Sequence, residues 1–350
     1  MVGIKKVPLT FVRRKVRTWF LSAGLLTVTV AALLAGCQKQ QKSQDVPEFV
    51  LTYAENQAED YPTTQGAYRF AELVWERTSG KVEIQVNADG VLGDEKAIVE
   101  QVQLGGVDFS RVSLSQLGEI MPKLNVLQMP YLYQDADHMW RVLEGEIGDD
   151  FMNSFGDSRL IPLSWYDAGA RNFYNSVHPI ETLEDIQGMR IRVQESELMM
   201  DMVEALGGKP VPITYGDVYS ALQTGEIEGA ENNWPSYESV RHYEVARYYS
   251  LDEHTRVPEM QLISQVTWEK LKPEYQEIIR ECAQESSLYE RELWVAREKT
   301  SEERVRKAGC TLTELLPEEK MRFQEAMVPV YEKYCTDYMD IIEAIIAAGK

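Results

Sequence analysis

Residue types that do covalent or metal chemistry are sparse in this chain and poorly spaced for it. The four histidines, His138, His178, His242 and His254, stand alone, with no HxH or HExxH spacing. Each reads as a surface or helix-end residue rather than a ligand. There is no Gly-x-Ser-x-Gly elbow, no Walker loop and no Gly-x-Gly-x-x-Gly turn, so neither a nucleophile nor a phosphate cradle is announced. Asp149-Asp150 and Glu302-Glu303 read as solvated helix faces, and spacing alone does not pick an acid–base pair from so many acids. The charge balance points to binding instead. With 36 Lys+Arg against 56 Asp+Glu the net charge is −20, which argues against nucleic acid as a partner. A protein so acidic repels anions at long range, so any anion site must be local and built from a few well-placed arginines.

The elements that would position such residues form two strand–helix series. The 350 residues are 44% hydrophobic, enough for one large or two medium globular domains. Phe49–Tyr53 reads as a buried strand, Pro62 opens a helix that runs towards Gly80, and Lys81–Val86 alternates as a strand. A helix through Ile98, Val99 and Val102 stops at Gly105-Gly106, and Val107–Phe109 is a short strand. Asp137 is the expected cap of a helix reaching Phe155, followed by a strand at Leu160–Leu163. The second series has strands at Phe173-Tyr174, Met189–Val193, Pro210–Ile213 and Glu228–Glu231, with helices over Leu198–Leu206 and Tyr215–Gln223. Between Pro273 and Lys307 there is no further Gly or Pro, and the spacing predicts one helix of about 35 residues, long enough to span two lobes. Pro317 to Ile346 is helical with a break at Pro329. Such alternation indicates an α/β fold of two lobes. No Gly/Ser-rich linker separates them, so the chain crosses as strands, which makes a hinge.

Residues 1–37 carry six basic residues and no acidic ones, followed by an apolar run from Trp19 to Leu34. This is the pattern of an export signal. Leu34-Ala35-Gly36-Cys37 resembles a lipobox, in which Cys37 takes a lipid and becomes the new N-terminus; the alternative is a plain membrane anchor, for which about 16 apolar residues are short. Residues 38–47 would be a polar tether. Export leaves Cys282, Cys310 and Cys335 in an oxidising compartment, with either a Cys310–Cys335 disulfide or three free thiols.

The stretch from Gly169 to Tyr237 contains Gly169-Ala170-Arg171, Met189-Arg190-Ile191-Arg192-Val193 and Glu231-Asn232-Asn233-Trp234-Pro235. Upstream, Asp89–Gly93, Glu100–Gly105 and Met129–Tyr133 follow in order. Together these motifs resemble the DctP-like solute-binding proteins of tripartite ATP-independent periplasmic (TRAP) transporters, over nearly all of the chain after the signal. The resemblance implies a periplasmic-binding-protein-like fold with the ligand cleft between lobes. The expected division is 48–168 with 257–296 for lobe I, and 169–256 with 297–350 for lobe II.

The resemblance also implies roles. Arg192 matches the arginine that grips the ligand carboxylate, for which a guanidinium fork suits. Arg190 is the structural neighbour. Arg171 matches a second arginine near the ligand, or else makes a hinge ion pair. Asn232 matches an asparagine whose amide reaches the ligand. The chain departs from the family pattern by two extra residues before Pro235, and Asn233 adds an amide that suits a polyhydroxylated ligand. Glu55, at the end of the first strand, would accept from sugar hydroxyls or else cap a helix. Tyr215 and Trp234 would stack on a sugar ring or else pack in the core. The expected function is therefore a receptor, not an enzyme, with no cofactor or metal. It would be lipid-anchored at the outer face of the cytoplasmic membrane and hand a small organic acid to a membrane permease. The expected ligand is a hexuronate, D-glucuronate or D-galacturonate. The alternatives are a C4-dicarboxylate or other carboxylate receptor, a ligand-sensing lipoprotein, or an enzyme on acidic sugars.

Overall fold

The computed structural model describes residues 46–350. The export signal, Cys37 and most of the tether lie outside the described residues. The chain begins with β1 (Phe49–Ala54), α1 (Pro62–Arg77), β2 (Val82–Asn87), α2 (Glu95–Leu104) and β3 (Phe109–Ser113). Pro62 starts α1, where its missing N–H costs nothing. Asp94 caps α2 by accepting from the Ala97 N–H at 2.9 Å, and Gly105 ends it in the left-handed region at φ 76°. The expected Asp137-capped helix is different. Asp135 is the cap, accepting from His138 N at 2.7 Å, and α3 (Ala136–Leu143) stops before a second short helix begins beyond Gly145. β4 (Leu160–Tyr166) completes the first half.

Asp167-Ala168-Gly169 carries the chain across to a second sheet. Its elements are β5 (Ala170–Asn175), β6 (Arg190–Val193), α4 (Glu197–Ala205), β7 (Lys209–Pro212), α5 (Val218–Thr224), β8 (Gly229–Asn232), α6 (Trp234–Ser239), β9 (Tyr248–Leu251) and β10 (Thr255–Arg256). The chain then returns as β11 (Glu259–Ser264), inserted between β3 and β4 and antiparallel to both. The first sheet has the order β2-β1-β3-β11-β4. α7 (Pro273–Lys307) is a single helix of 35 residues, about 52 Å long at 1.5 Å per residue. It packs on α1 beside the first sheet and on α6 beside the second. After it, β12 (Thr311–Glu314) joins the second sheet, whose order is β12-β9-β5-β8-β6-β7, with β10 on β5. α8 (Pro317–Ala326), α9 (Val328–Cys335) and α10 (Met339–Ala348) end the chain. The architecture is thus an α/β pair of lobes joined by two crossing strands and one long helix.

Each lobe has its own core. Tyr53, Phe70, Phe109, Ile263 and Ile279 pack the first, and Tyr174, Tyr237, Tyr249 and Val305 the second. A third core is shared: Leu114, Leu117 and Leu127 from the first lobe meet Met199, Met202, Phe323 and Val330. One expectation changes here, and the choice left open for the cysteines is decided for free thiols. Residues 297–350 do not all belong with the second lobe. The turn at Thr336–Tyr338 sends α10 back over α3, where His138 Nε2 lies 2.7 Å from the Ile345 carbonyl and Arg141 Nε donates to Ala348 at 3.0 Å. Its apolar stripe, Ile342 and Ile345, is buried in the shared core. The Cys310–Cys335 pairing is also absent, because Cys310 sits against the second core and Cys335 in the shared one; both are free thiols, as is Cys282.

Candidate ligand-binding cleft

A cleft of about 290 Å³ lies between the lobes, near the lower end of the usual range for small-molecule sites. Three arginines reach it, Arg111 on β3, Arg171 on β5 and Arg192 on β6, each almost fully buried. Their surroundings differ in a way that assigns their roles. Arg111 donates to Glu55 through Nε and Nη2 and to Glu95 and Glu259 through Nη1. Arg171 donates through Nη2 to Glu231 Oε1 at 2.8 Å, through Nε to Glu231 Oε2, and through Nη1 to Asn232 Oδ1 at 3.1 Å. Arg192 has no carboxylate partner. Its Nε donates to the Ile213 carbonyl at 2.7 Å, and Nη1 and Nη2 have no hydrogen-bond partner among the described residues. Burial pushes its guanidinium below the usual arginine range, and Glu231 offsets this only in part. A buried cation in this state favours an anion brought in from outside.

Behind Arg171 lies a closed polar network. Glu231 Oε2 is 3.4 Å from His254 Nε2, and His254 Nδ1 is 2.8 Å from Asp252 Oδ2. Burial pushes the Glu231 carboxyl up, but Arg171 and His254 outweigh it and hold it at about 2. Burial likewise pushes His254 down, but Asp252 and Glu231 raise it to about 9. The imidazole is therefore charged at neutral pH. His138, His242 and His254 are buried, not surface residues as their isolated spacing suggests. Each has at least one polar partner, though burial still pushes His242 down to about 3 and its Nε2 has no partner among the described residues.

The sequence-predicted residues divide into two sets. Arg171, Arg192, Asn232, Asn233 and Tyr215 converge on the cleft. Asn232 Oδ1 is occupied by Arg171 and the Asn233 N–H, which leaves its amide nitrogen for the cleft. Asn233 caps α6, accepting from Ser236 N at 2.7 Å, so its oxygen is structural. The Tyr215 hydroxyl donates to the Ser236 carbonyl at 3.4 Å. Glu55 and Trp234 stand outside. The Glu55 side chain is fully buried, with Arg111 on both oxygens and the Gln57 N–H on Oε1; it holds the arginine and does not line the cleft. Trp234 turns into the second core, where its ring stacks on Tyr249 at 4.0 Å. Arg190 is exposed and bonds Glu226 and Gly225 carbonyls.

Sequence reasoning missed Arg111, Glu95 and Glu259. The signal was an arginine between Ser110 and Val112, two residues past the point where periodicity ended the strand. Around the cleft the lobes already touch. Gln194 donates to Ser113 Oγ at 3.1 Å, Gln116 to the Glu195 carbonyl at 3.3 Å, and the Tyr61 and Ser236 hydroxyls lie 2.8 Å apart.

Known proteins share this arrangement. The family model for bacterial extracellular solute-binding protein, family 7 (DctP), matches residues 53–337. A solute-binding protein of Chromohalobacter salexigens is 39% identical over 281 residues, covering 80% of this chain and 83% of its own. Among solved structures, a TRAP periplasmic solute-binding protein of Roseobacter denitrificans with bound β-D-glucuronate is 40% identical, with a TM-score of 0.81 over 85% of this chain and 98% of that one. A second, from Xanthobacter autotrophicus with bound β-D-galacturonate, is 40% identical with a TM-score of 0.82 over 85% and 99%. A match over most of the chain, joined to a two-lobed fold with a cleft that carries an unpaired arginine, identifies the class: this chain belongs to the family 7 extracellular solute-binding proteins, the exported receptors of TRAP transporters.

Proposed function

We propose that this receptor binds a hexuronate, D-glucuronate or D-galacturonate, and delivers it to its membrane permease. The observation that carries the reading is Arg192, the cleft arginine whose guanidinium end has no carboxylate opposite it. A sugar carboxylate would take both terminal nitrogens as a bidentate pair. Arg171, held by Glu231, would lend a second positive edge. The amides of Asn232 and Asn233 would read hydroxyls, and Tyr215 would cover a ring face. Two relatives with about two-fifths identity hold hexuronates, which supports the same ligand here.

In this reading the lobes, 48–168 with 257–296 and 169–256 with 297–338, close by bending at Ala168–Gly169 and Val257–Pro258. The final helix rides with the first lobe. The closed form is the one presented to the permease. Cys37 carries the lipid that keeps the receptor at the membrane surface, a role its Leu-Ala-Gly-Cys setting supports.

The test is a melting scan of the protein lacking residues 1–37 against uronates, aldonates, sialic acid and dicarboxylates. Ligand at a hundredfold excess over its dissociation constant adds about 2.7 kcal/mol, so a clear upward shift with glucuronate or galacturonate is expected. A shift with succinate or malate alone would retain the receptor and remove the hexuronate.

A further inference from the structure

The two walls of the cleft carry opposite charge. On the second lobe, Glu231 pairs with Arg171, and among the described residues no carboxylate bonds Arg192, whose charge Glu231 offsets only in part. On the first lobe, a single guanidinium, Arg111, faces three carboxylates, Glu55, Glu95 and Glu259. Glu55 spends both oxygens on Arg111. The other two spend one each. Glu95 Oε1 accepts from Arg111 at 2.9 Å and from the Ser113 N–H at 3.3 Å, and Glu259 Oε2 accepts from Arg111. Glu95 Oε2 and Glu259 Oε1 have no hydrogen-bond partner among the described residues, and both side chains line the cleft. Asp89 and Asp94 of the same lobe add negative charge at the rim, against Lys96. Burial drives the Glu95 carboxyl up to about 7, against the pull of Arg111, and it raises Glu259 in the same sense. The wall already holds more anionic charge than its arginine balances.

We propose that Glu95 and Glu259 set the ligand class by excluding a second carboxylate. The site then takes acids with one anionic end and a hydroxyl-rich, uncharged far end. This rests on the preceding reading in that Arg192 takes the carboxylate. The chemistry is one of donors and acceptors. An ionised carboxylate only accepts, so at alkaline pH, above the raised Glu95 value and where the titrations are run, the open oxygens need donors. A sugar hydroxyl supplies one. A second ligand carboxylate supplies none and adds like charge in a poorly solvated wall. Rejection by an unpaired like charge discriminates more sharply than any loss of fit.

The experiment compares D-glucuronate with D-glucarate, six-carbon acids with one and two carboxylates, by calorimetric titration. Each is measured on the wild type, Glu95→Gln and Glu259→Gln. The shape difference between the ligands is common to all three proteins and cancels in the change of their affinity ratio. Glu95 lies at the partly exposed first turn of α2, so Glu95→Gln should fold, and its melting curve checks this. We expect the wild type to prefer glucuronate by at least a hundredfold. We expect each variant to narrow that ratio at least tenfold, with glucarate gaining affinity. A wild type that binds glucarate within tenfold of glucuronate overturns the proposal. So do variants that weaken both ligands equally, and variants in which glucarate gains nothing. Failure of the uronate reading has a different signature: the wild type ignores glucuronate but binds another monoacid of the panel. That monoacid then replaces glucuronate in the ratio. A wild type that binds only diacids overturns both.

Discussion

Glu231 holds Arg171 through both of its carboxylate oxygens, Oε1 accepting from Nη2 at 2.8 Å and Oε2 from Nε. Both side chains are buried, so the pair stands or falls together. Glu231→Gln removes the charge but keeps the shape. It leaves Arg171 and His254 as buried cations with only Asp252 against them. Breaking a buried pair in this way costs roughly 3–5 kcal/mol. Urea unfolding should therefore show a large fall in midpoint at constant slope. A loss below about 1 kcal/mol would mean that solvent reaches the pair.

Arg192 should behave in the opposite way. Its guanidinium makes no ion pair among the described residues, and burial disfavours it more than Glu231 favours it. Arg192→Ala should abolish measurable uronate binding, a loss of more than about 3 kcal/mol for a buried charge-assisted pair. The ligand-free protein should melt at the wild-type temperature or above it. Arg192→Lys should also bind poorly, because an ammonium lacks the planar fork. Retained affinity in the alanine variant would remove Arg192 from the site.

The His254 imidazolium predicts an alkaline limb in stability. A histidine titrates near 6.5 when unfolded and is raised to about 9 here. The folded state then binds the proton more tightly. Its contribution, on the order of 3 kcal/mol, is complete below pH 6.5 and is lost as pH rises through about 9. The stability difference between wild type and His254→Gln should shrink across that window. A difference that stays constant from neutral to alkaline pH would rule out the charged imidazole.

Gly169 stands where the first crossing strand turns against α7. Its φ is 60°, and a Cβ there would lie 2.7 Å from Glu298 Oε1 and 2.9 Å from Trp294 Nε1. Gly169→Ala should cost roughly 1–2 kcal/mol from the left-handed backbone alone, with crowding added. Equilibrium unfolding measures this directly, and an unchanged stability would show that the crossing segment relaxes freely.

Much of the fold is legible in the chain because local rules agree. Pro62, Asp94 and Gly105 mark helix ends by chemistry that acts within a few residues, and the uninterrupted run from Pro273 to Lys307 is one helix. Arg171, Arg192 and Asn232 were reached through motif resemblance, Asn233 and Tyr215 through residue type and position, and all five line one cleft. The errors have a common source. Glu55 was placed by strand-end position and Trp234 by residue type at a loop–helix junction, but which way a side chain is used depends on distant partners: Arg111 for the first, Tyr249 for the second. Arg111 was passed over because a charged residue in a buried strand looks like the end of the strand until its three carboxylates are seen around it.

The sequence alone determined the class: an export-type start, an acidic two-lobed α/β chain, ordered receptor motifs, and arginines as the means of holding an anion. The lobes and the export-type start depend on local propensity, periodicity and spacing, which act along the chain, and the receptor motifs were legible through their resemblance to a known family. Only the tertiary structure decided which arginine is available. Arg111 meets carboxylates from 56 and 148 residues away, and Arg171 meets one 60 residues away. Charge pairing across such separations depends on which strands become neighbours in a sheet, and linear order does not contain that. Arg192 is the cleft arginine that folding leaves without a bonded carboxylate, which is why we propose it as the binding cation.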